Sequence, residues 1–509
     1  MSARSNHAPP TGVRPLFQGL LYAAGPAPLA GVAGAGLTAG FFGWYTAVSH
    51  LHALLAFTDL VLAVALPLGL AACIAAWRGY ANYLSWRTGI SHRTALVLDA
   101  WSFLPVYLLW LPLLLLPFRV LPEGPVLIVT AALWGAVKLL AATRLNQTVR
   151  EVTVTYLVTR IPLIIIALLG ATLIGQRAGT HWAASHDLLL TVWGRWDAQH
   201  YIEIATGGYH GTNMAFFPLY PMLLAILGKF TGSHLVAGLI VSNVALYLGL
   251  LFFYKLVEHE LHDRRVAYRA IFYISIFPTA IFFSAVYTES LFFALTVASF
   301  YYIRQRQWLL AGLIGACASA TRVEGVLLFV PFAIEWWAAH RSGERISWRS
   351  VAGIALVPSG MLAYMGYLWV LVGDPLYFSH VQSHWHRHLA PPWVSVGNSI
   401  HLITHAHLPS SIAYQSIELV FTALMIAMLA LGLRTLRTSY WVYMLLSIAI
   451  PLSTSSLMSM PRFALVLFPI FMVLAIWGRR PAVNNAVVAF SLPLLGLFTV
   501  LFADWYWIA

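Results

Sequence analysis

A short run of polar and aromatic residues carries the strongest chemical signal in the chain. The run 193–201 (WGRWDAQHY) places Asp197 between tryptophans and an arginine, with His200 and Tyr201 three and four positions later. In a helix these three side chains share one face, because residues three and four apart are neighbours on its surface. A carboxylate held there beside water can act as a general base on a hydroxyl. The structural alternative is an interfacial helix with a solvated charged face.

Three further polar turns carry charges between apolar runs. Glu289 lies between two short apolar stretches, Arg322 and Glu324 flank one valine, and Arg462 opens an apolar run. Each has a structural alternative. Glu289 could lie in a simple hairpin turn, and Arg322 could form an ion pair with Glu324. Arg462 could be a snorkelling side chain whose charged end reaches the polar membrane surface. Because arginine matches phosphate through two parallel hydrogen bonds, the positions of Arg322 and Arg462 favour binding of an anionic group.

A fourth polar stretch begins with a Gly-Asp-Pro turn and contains Asp374, Gln382, Trp385 and Arg387. Three histidines alternate within it, at positions 384, 386 and 388. Alternation would place them on one side of a strand and raises the hypothesis of a metal site. No cysteine or nearby carboxylate completes a ligand set, so we interpret them as polar loop residues.

The composition indicates which elements must hold these residues. Of 509 residues, 60% are hydrophobic and 9% are charged, whereas a soluble domain is about 25% charged. The apolar residues form long blocks, which predicts a polytopic α-helical membrane protein and excludes a soluble enzyme, a disordered chain and a nucleic-acid binder. The net charge of +12 is spread over short loops. Cys73 and Cys317 lie in apolar segments and are predicted to be buried free thiols.

Hydropathy predicts apolar spans along most of the chain. The candidates are 28–48, 53–77, 94–118, 124–143, 153–175, 234–257, 270–286, 290–303, 308–321, 325–339, 350–372, 413–433, 441–456, 463–477 and 482–502. Several are shorter than the ~20 residues of a straight crossing, so we predict about 11–15 transmembrane helices. The stretch 216–230 is short and contains Pro218 and Pro221, which indicates a re-entrant or interfacial helix.

The distribution of cations predicts which loops share a side of the membrane. By the positive-inside rule, most basic loops are cytoplasmic. The cations that fall near the other face are Arg119, Arg177, Arg195, Lys229, Arg322, Arg387 and Arg462. The polar segments predicted on that extracytoplasmic face are the long loops at about 176–233 and 373–412 and the turns 287–290, 321–325 and 457–462. The candidate chemistry is therefore expected to converge on one side.

Together these motifs resemble a known family. The matching residues are Trp196-Asp197-Ala198 with Tyr201 and Gly208-Tyr209, 216–221 (FFPLYP), Pro278 with 284–285, 287–292 (YTESLF), Arg322 with Gly325, 373–376 (GDPL), Gln382 with Trp385 and Arg387, and 461–463 (PRF) before Phe468-Pro469. In this order they resemble the PIG-V family, the second GPI mannosyltransferase of eukaryotes and its bacterial relatives. The resemblance covers about 153–480. We therefore predict an N-terminal extension, 1–150, with about four transmembrane helices, followed by a catalytic transmembrane domain, 151–509.

The resemblance implies a GT-C glycosyltransferase fold, with many membrane helices and a catalytic acid in the first long extracytoplasmic loop. Asp197 matches that acid. By the same resemblance and the charge pattern, the predicted donor-phosphate ligands are Arg322, Arg462 and Arg387. The predicted substrate-binding residues are Arg195, Trp196, His200, Tyr201, Glu289, Glu324, Asp374, Gln382 and Trp385. The eukaryotic pattern has an asparagine near Glu324, so this sequence departs from the family there.

The function implied is an inverting glycosyltransferase, a mannosyltransferase, that moves a sugar from a polyprenyl phosphate to an acceptor hydroxyl on the extracytoplasmic face. The expected partners are the lipid-linked donor, a glycan, glycolipid or protein acceptor, and membrane lipids, with no nucleic acid. No cofactor is expected, and the sequence does not indicate a divalent metal. The expected location is a bacterial plasma membrane, with multiple passes. Two alternatives stay open: a lipid or solute transporter or flippase, for which repeated halves are typical but not found, and a non-catalytic assembly subunit.

Overall fold

The computed structural model describes residues 91, 93–94, 97, 147–174, 177, 182–185, 187–344, 347–385 and 387–508. The chain divides into two compact units, residues 1–161 and 162–509. Four predicted spans fall before residue 147. Three of them (28–48, 53–77 and 124–143), most of the fourth (94–118), and Cys73 lie outside the described residues. The predicted extension, 1–150, with its four helices, and its boundary with the catalytic domain, 151–509, therefore stay predictions.

The described residues are helical and contain no β-strand, only an isolated antiparallel bridge between Leu389 and Thr454. The α-helices are α1 (Gln147–Leu173), α2 (Leu188–Thr191), α3 (Ala198–Gly207), α4 (Leu219–Thr231), α5 (His234–Leu261), α6 (Arg264–Ser275), α7 (Glu289–Arg304), α8 (Trp308–Ser319), α9 (Phe329–Arg341), α10 (Trp348–Leu356), α11 (Ser359–Val372), α12 (Tyr377–His380), α13 (Pro392–His405), α14 (Pro409–Gly432), α15 (Thr438–Leu452), α16 (Met460–Val466), α17 (Pro469–Trp477) and α18 (Pro481–Ala503). Short 3-10 helices cover Gly211–Ala215, Ala280–Phe283, Val323–Leu328 and Val381–Trp385.

The prediction of an all-α polytopic membrane protein is confirmed. Within the described part of the chain, five helical segments are long and apolar enough to cross a membrane: Gln147–Leu173, His234–Leu261, Val323–Arg341, Pro409–Gly432 and Pro481–Ala503. The α10–α11 pair, bent by 44°, and the α16–α17 pair, bent by 76°, raise the number to seven if each pair is one span. Over the same part hydropathy predicted eleven spans, several of them shorter than this length, and the number that cross the membrane stays a prediction. The total for the whole chain stays a prediction.

One predicted span, 270–286, is wrong as a continuous helix. Helix α6 ends at Ser275, and a non-helical segment with one 3-10 turn continues to Thr288. Pro278 lacks a backbone N–H and clashes with the preceding turn of a helix, which accounts for the break. The segment is apolar because it is buried in protein: Phe277, Phe282 and Phe283 are at most 4% exposed.

Helix α7 runs through the centre of the second unit and has buried charges at both ends. It packs against α5 and α8 and buries Phe292, Val297 and Phe300 completely. It begins with Glu289 and ends with Arg304, so these residues lie roughly 22 Å apart along its axis at 1.5 Å per residue. The end that carries Glu289 is called the site end here, and the other the distal end.

The distal end of α7 is closed by a buried ion-pair cluster. Arg304 binds the carboxylate of Glu260 and donates from Nη1 to Glu335 Oε2 over 2.9 Å. The hydroxyl of Ser439 donates to Glu335 Oε1 over 2.7 Å. This distal cluster of Arg304, Glu260 and Glu335 joins α5, α7, α9 and α15. In this cluster the charge of Arg304 is neutralised by two carboxylates, at the opposite end of α7 from Glu289.

Helix α8 approaches α10 so closely that only glycine fits at the contact. A Cβ atom on Gly312 would lie 2.0 Å from the carbonyl oxygen of Gly353. We expect Gly312→Ala to lower the thermal unfolding midpoint of the purified protein, because overpacking against backbone costs about 1–3 kcal/mol or more. Gly366→Ala in α11 is the matched control, since a Cβ there meets nothing within 4 Å. Equal midpoints for the two variants would contradict this contact.

Candidate functional site

Asp197 and Arg462 meet at the site end, although 265 residues separate them in the chain. Asp197 stands immediately before Ala198, the first residue of α3. Arg462 in α16 donates from Nη1 to Asp197 Oδ2 over 2.7 Å. The Arg462 side chain is 8% exposed and that of Asp197 is 24% exposed. Asp197 therefore faces both a buried cation and open space.

Glu289 joins Arg462 to a second arginine. It is completely buried at the start of α7. Its Oε1 accepts from Arg462 Nε over 2.8 Å and from Arg322 Nη1 over 3.1 Å. Arg322 also pairs with Glu324, whose Oε1 lies 3.3 Å from Arg322 Nη2. We call these five residues, Asp197, Glu289, Arg322, Glu324 and Arg462, the central cluster.

The central cluster has an excess of negative charge, since three carboxylates face two guanidinium groups when all five are ionised. Buried charges persist in proteins when they are paired and hydrogen-bonded. Although burial by itself lowers the pKa of Arg322, Glu324 and Glu289 raise it above its usual range. The ion pair of Arg322 with Glu324, which was the structural alternative for this turn, is present. The predicted substrate contacts of Glu289 and Glu324 stay predictions.

The residue before Asp197 has a strained backbone. Trp196 has φ of 54°, in the left-handed region that favours glycine. Its indole ring meets Trp505 edge-on at 5.6 Å between centroids, and Trp507 likewise at 5.3 Å. Strain of this kind persists where the surroundings impose it. The two tryptophans that follow α18 therefore help to aim Asp197 towards Arg462.

The phenol of Tyr287 fixes the same turn from the other side. Its hydroxyl donates to the carbonyl oxygen of Arg195 over 3.0 Å and accepts from the backbone N–H of Asp197 over 3.2 Å. Burial raises the pKa of Tyr287 well above its usual range, so the phenol stays protonated and able to donate. Tyr201, predicted to share a face with Asp197, is buried and lies 3.3 Å from the hydroxyl of Thr288.

Arg195 is not at the surface of the site. It is 2% exposed, and its guanidinium lies over the ring of Trp505 at 4.8 Å from the centroid. Burial lowers the pKa of Arg195 to about 10, an effect that the nearby Asp504 opposes. Asp504, which sequence reasoning did not single out, is fully buried, and burial raises its pKa. The predicted substrate contact of Arg195 stays a prediction.

Aromatic side chains from two distant segments form a wall beside α3. His200 stacks on Phe216 with 4.7 Å between ring centroids. Trp385 meets His200 edge-on at 6.3 Å and Phe216 at 6.2 Å. We call these three residues the aromatic wall. It brings two predicted substrate-binding residues, His200 and Trp385, together on the α3 side of Asp197.

Arg387 contacts a backbone carbonyl group, whereas Arg322 and Arg462, the other two predicted phosphate ligands, pair with carboxylates. Its Nη2 donates to the carbonyl oxygen of Met458, and its Nε has no hydrogen-bond partner. Among the described residues no carboxylate forms an ion pair with it. Burial lowers the pKa of Arg387, with Tyr414, Arg462, Glu418 and Asp197 as the charged groups that act on it. Arg387 therefore lies near the central cluster as an unneutralised cation.

Asp374 and Gln382, the remaining predicted residues of this loop, make their contacts outside the central cluster. Asp374 Oδ2 lies 2.7 Å from His380 Nδ1 in a largely exposed pair. The backbone carbonyl oxygen of Gln382 accepts from the backbone N–H of Arg387 over 3.2 Å. Among the described residues no hydrogen bond or ion pair joins the side chain of Asp374 or Gln382 to the central cluster. Their predicted substrate contacts stay predictions.

The alternating histidines form no metal site in the part of the chain that the structure describes. His384 packs edge-on against Trp385 at 5.2 Å, and His388 Nδ1 lies 3.2 Å from Ser455 Oγ. His386 lies outside the described residues. No group of three histidine, cysteine or acidic side chains there is arranged to hold a metal. Cys317 is a free thiol, as predicted, but it is partly exposed, so the prediction that it is buried is wrong.

Sequence reasoning missed a buried carboxylate behind Arg462. Glu418 in α14 is completely buried and accepts from the backbone N–H groups of Ser459 and Met460. The signal was present, since an acidic residue inside the predicted span 413–433 is costly and marks a paired or functional group. Tyr287 belongs to the motif 287–292, but the sequence did not indicate a role for it.

A comparison with known families supports the resemblance drawn from the motifs. Residues 180–334 match the family model described as Mannosyltransferase (PIG-V). The matched segment contains Asp197, Glu289, Arg322 and Glu324, whereas Arg462 and Arg387 lie after it. No curated protein matches the chain. The match over residues 180–334 supports membership of the PIG-V-like mannosyltransferase family and, with it, a glycosyltransferase activity.

Proposed function

We propose that this glycosyltransferase is an inverting mannosyltransferase of the GT-C class with a polyprenyl-phosphate-linked donor. The observation that carries the proposal is Asp197: it lies within the family segment, is partly exposed, and has one oxygen fixed by Arg462. Its Oδ1 makes no hydrogen bond within the described residues. An oriented carboxylate with one free oxygen is suited to accept a proton from an acceptor hydroxyl.

The proposed reaction is a single displacement. The acceptor hydroxyl gives its proton to Asp197 Oδ1 while its oxygen forms a bond to C1 of the sugar. The bond from C1 to the lipid-phosphate oxygen breaks, and the phosphate leaves with the electron pair, which inverts C1. Arg462 holds the carboxylate in place, and cations near the leaving phosphate stabilise its developing charge. The donor is already activated as a phosphodiester and releases a lipid phosphate monoester, so no nucleotide site is needed.

The charge arrangement favours Arg387 as the first contact of the donor phosphate. Arg322 and Arg462 are each held by carboxylates of the central cluster. Arg387 has none, and its Nε is unpartnered. An anion gains more from a cation that is not already neutralised. Arg322 and Arg462 then act as supporting cations within the site.

We expect Arg387→Ala to raise KM for the donor about tenfold, which corresponds to about 1.4 kcal/mol, and to change KM for the acceptor by less than about twofold. Arg387→Lys is expected to lie between wild type and alanine, because it keeps the charge and loses the planar fork. Steady-state transfer with each substrate varied in turn checks this. Arg434→Ala, at an exposed arginine after α14, is the matched control. Equal rises for both substrates would assign Arg387 a structural role.

The acceptor is proposed to approach along the aromatic wall. His200 is on α3, three positions after Asp197, and its side chain is 27% exposed. Ligand sites are typically lined by aromatic side chains with a few placed polar groups. A glycan, a glycolipid or a glycosylated protein would present its ring to this wall and its hydroxyl to Asp197.

The site end is proposed to face the extracytoplasmic side of a bacterial plasma membrane. The distal end carries Arg304 at the end of α7, Arg306 two residues later, Arg341 at the end of α9, and Arg437 before α15. A basic excess marks the cytoplasmic ends of membrane helices. The opposite orientation would place these arginines outside. Accessibility of single cysteines at either end to a membrane-impermeant thiol reagent tests this orientation.

The function is tested with the purified chain in liposomes. Labelled polyprenyl-phosphate-mannose and a glycolipid acceptor extract are supplied, and label in the acceptor is measured. Transfer by the single chain supports the proposal and excludes the assembly-subunit alternative. Movement of the labelled lipid across the bilayer without transfer would support the transporter or flippase alternative instead.

A further inference from the structure

A buried carboxylate outside the central cluster holds the turn that precedes Arg462. Glu418 is completely buried near the middle of α14. Its Oε1 accepts from the backbone N–H of Ser459 over 3.0 Å, and its Oε2 accepts from that of Met460 over 2.8 Å. Each carboxylate oxygen thus has its own donor. The two donors lie at the first residue of α16 and the one before it.

The turn needs this support because its backbone is in a sparsely populated conformation. Ser459 has φ of 76°, in the left-handed region, although it is not glycine. Strained residues persist only where their surroundings determine them. With apolar groups in place of the Glu418 carboxylate, two buried N–H groups would have no acceptor. Glu418 therefore selects this conformation over the unstrained alternatives.

A second charged side chain holds the same turn. Arg387 donates from Nη2 to the carbonyl oxygen of Met458. One residue separates this carbonyl from the N–H of Met460 that Glu418 accepts. Beyond the turn, the hydroxyl of Thr279 donates to the carbonyl oxygen of Pro461 over 3.0 Å. The start of α16 is thus fixed by an anion on its N–H groups and by donors on its carbonyl groups.

We infer that Glu418 is a positioning residue that sets Arg462, and through it Asp197, in the geometry needed for transfer. Arg462 is the third residue of α16, within one helical turn of both N–H groups that Glu418 binds. Arg462 in turn makes bonds of 2.7 Å and 2.8 Å to Asp197 and Glu289. Movement at the turn therefore passes directly to the Asp197 carboxylate. The catalytic consequence rests on the proposed function, whereas the positioning itself does not.

The first test measures the turn without any substrate. Glu418→Gln keeps the side-chain volume but presents an N–H₂ group to one of the two backbone donors. Hydrogen–deuterium exchange of peptides covering 457–466, in the folded full-length protein, is expected to accelerate about tenfold or more in this variant, because local opening governs exchange. Glu335→Gln in the distal cluster removes a comparable buried carboxylate and is expected to leave these peptides unchanged. If Glu418→Gln does not fold, Glu418→Asp takes its place with a smaller expected acceleration. Unchanged exchange overturns the inference.

The second test measures the consequence for transfer. Glu418→Gln is expected to lower kcat about 10- to 100-fold with little change in KM for the donor, since a misplacement of about 1 Å can cost about 10²-fold. Glu335→Gln is expected to keep kcat within about twofold of wild type per folded molecule. In the Arg462→Lys background the effect of Glu418→Gln is expected to shrink below about threefold, because neighbours acting through one contact are not additive.

The outcomes separate the inference from the proposed function. Faster exchange at 457–466 with no transfer by the wild-type protein would refute the proposed function and leave the positioning role intact. Full additivity of Glu418→Gln with Arg462→Lys would overturn the coupling. A fall in kcat that Glu335→Gln reproduces equally would also overturn it, since loss of a buried charge would then suffice.

Discussion

Asp197→Asn is expected to lower kcat for transfer by about 10²–10⁴-fold, the usual contribution of a general base. The amide is nearly isosteric with the carboxylate, so its oxygen can still accept from Arg462 Nη1, as Asp197 Oδ2 does. What is lost is the oxygen that takes the proton from the acceptor hydroxyl. KM for the donor is expected to change little, because the proposed contacts of the donor phosphate are with other residues. Transfer of labelled mannose by the reconstituted variant measures the effect.

A matched substitution separates this loss from general damage to the loop. Asp187 is an exposed residue of the same segment, and its Oδ1 accepts from the N–H of Leu189 at the start of α2. Asparagine is as good an N-cap as aspartate, so Asp187→Asn is expected to keep the fold and the activity. Near wild-type turnover in Asp197→Asn would remove Asp197 as the base. Loss of activity in both variants would point to the loop as a whole.

Arg462→Ala is expected to be the most destabilising single substitution at the site end. Glu289, which is completely buried, then has Arg322 as its remaining cation among the described residues. Asp197 has no ionic partner left among them. Breaking a buried ion pair by removing one member costs about 3–5 kcal/mol, because the charge left behind is desolvated and uncompensated. The thermal midpoint in detergent should fall accordingly, and transfer should be lost in the fraction that stays folded.

A second substitution distinguishes uncompensated charge from lost packing. Removing Glu289 as well, in Arg462→Met with Glu289→Met, takes away the buried charge and fills similar volume. Replacement of a whole buried ion pair by apolar residues of similar volume is often neutral or stabilising by about 1–4 kcal/mol relative to the intact pair. We therefore expect the double variant to melt above Arg462→Ala while staying inactive. A double variant that melts at or below Arg462→Ala would show that packing, rather than charge, governs this position.

The sequence allowed the chemical residues to be identified but not their pairing. Glu289, Arg322 and Arg462 stand out because a charged residue between apolar runs is costly and is therefore paired or functional. Asp197 stands out because it lies among aromatic and polar residues in a long polar loop. The pairing of Arg322 with Glu324 is a local contact across two positions and was open to prediction as an alternative. The contacts of Arg462 with Asp197 and Glu289 were not, because they depend on how α16 packs against α7 and the start of α3.

Hydropathy located the apolar segments well but could not separate lipid-facing helices from buried loops. The predicted spans 153–175, 234–257 and 482–502 correspond to single helices. The span 270–286 does not, and 463–477 lies within two helices bent by 76°. Apolar residues are equally suited to a protein interior and to a bilayer. A buried loop and a lipid-facing helix can therefore have the same apolar composition. Non-helical backbone at such depth is tolerated where protein surrounds it, and that is a property of the packing.

Hydropathy and short motifs are local properties, so they were enough to indicate the class of protein, a family resemblance and the residue types available for chemistry. The tertiary structure alone decided which charges neutralise one another and which do not. Asp197 keeps a free oxygen, Arg387 lacks a carboxylate among the described residues, and Glu418 lies behind Arg462. Each of these facts depends on distances between segments far apart in the chain. Buried charges must find partners wherever packing brings them, and sequence spacing does not encode that arrangement.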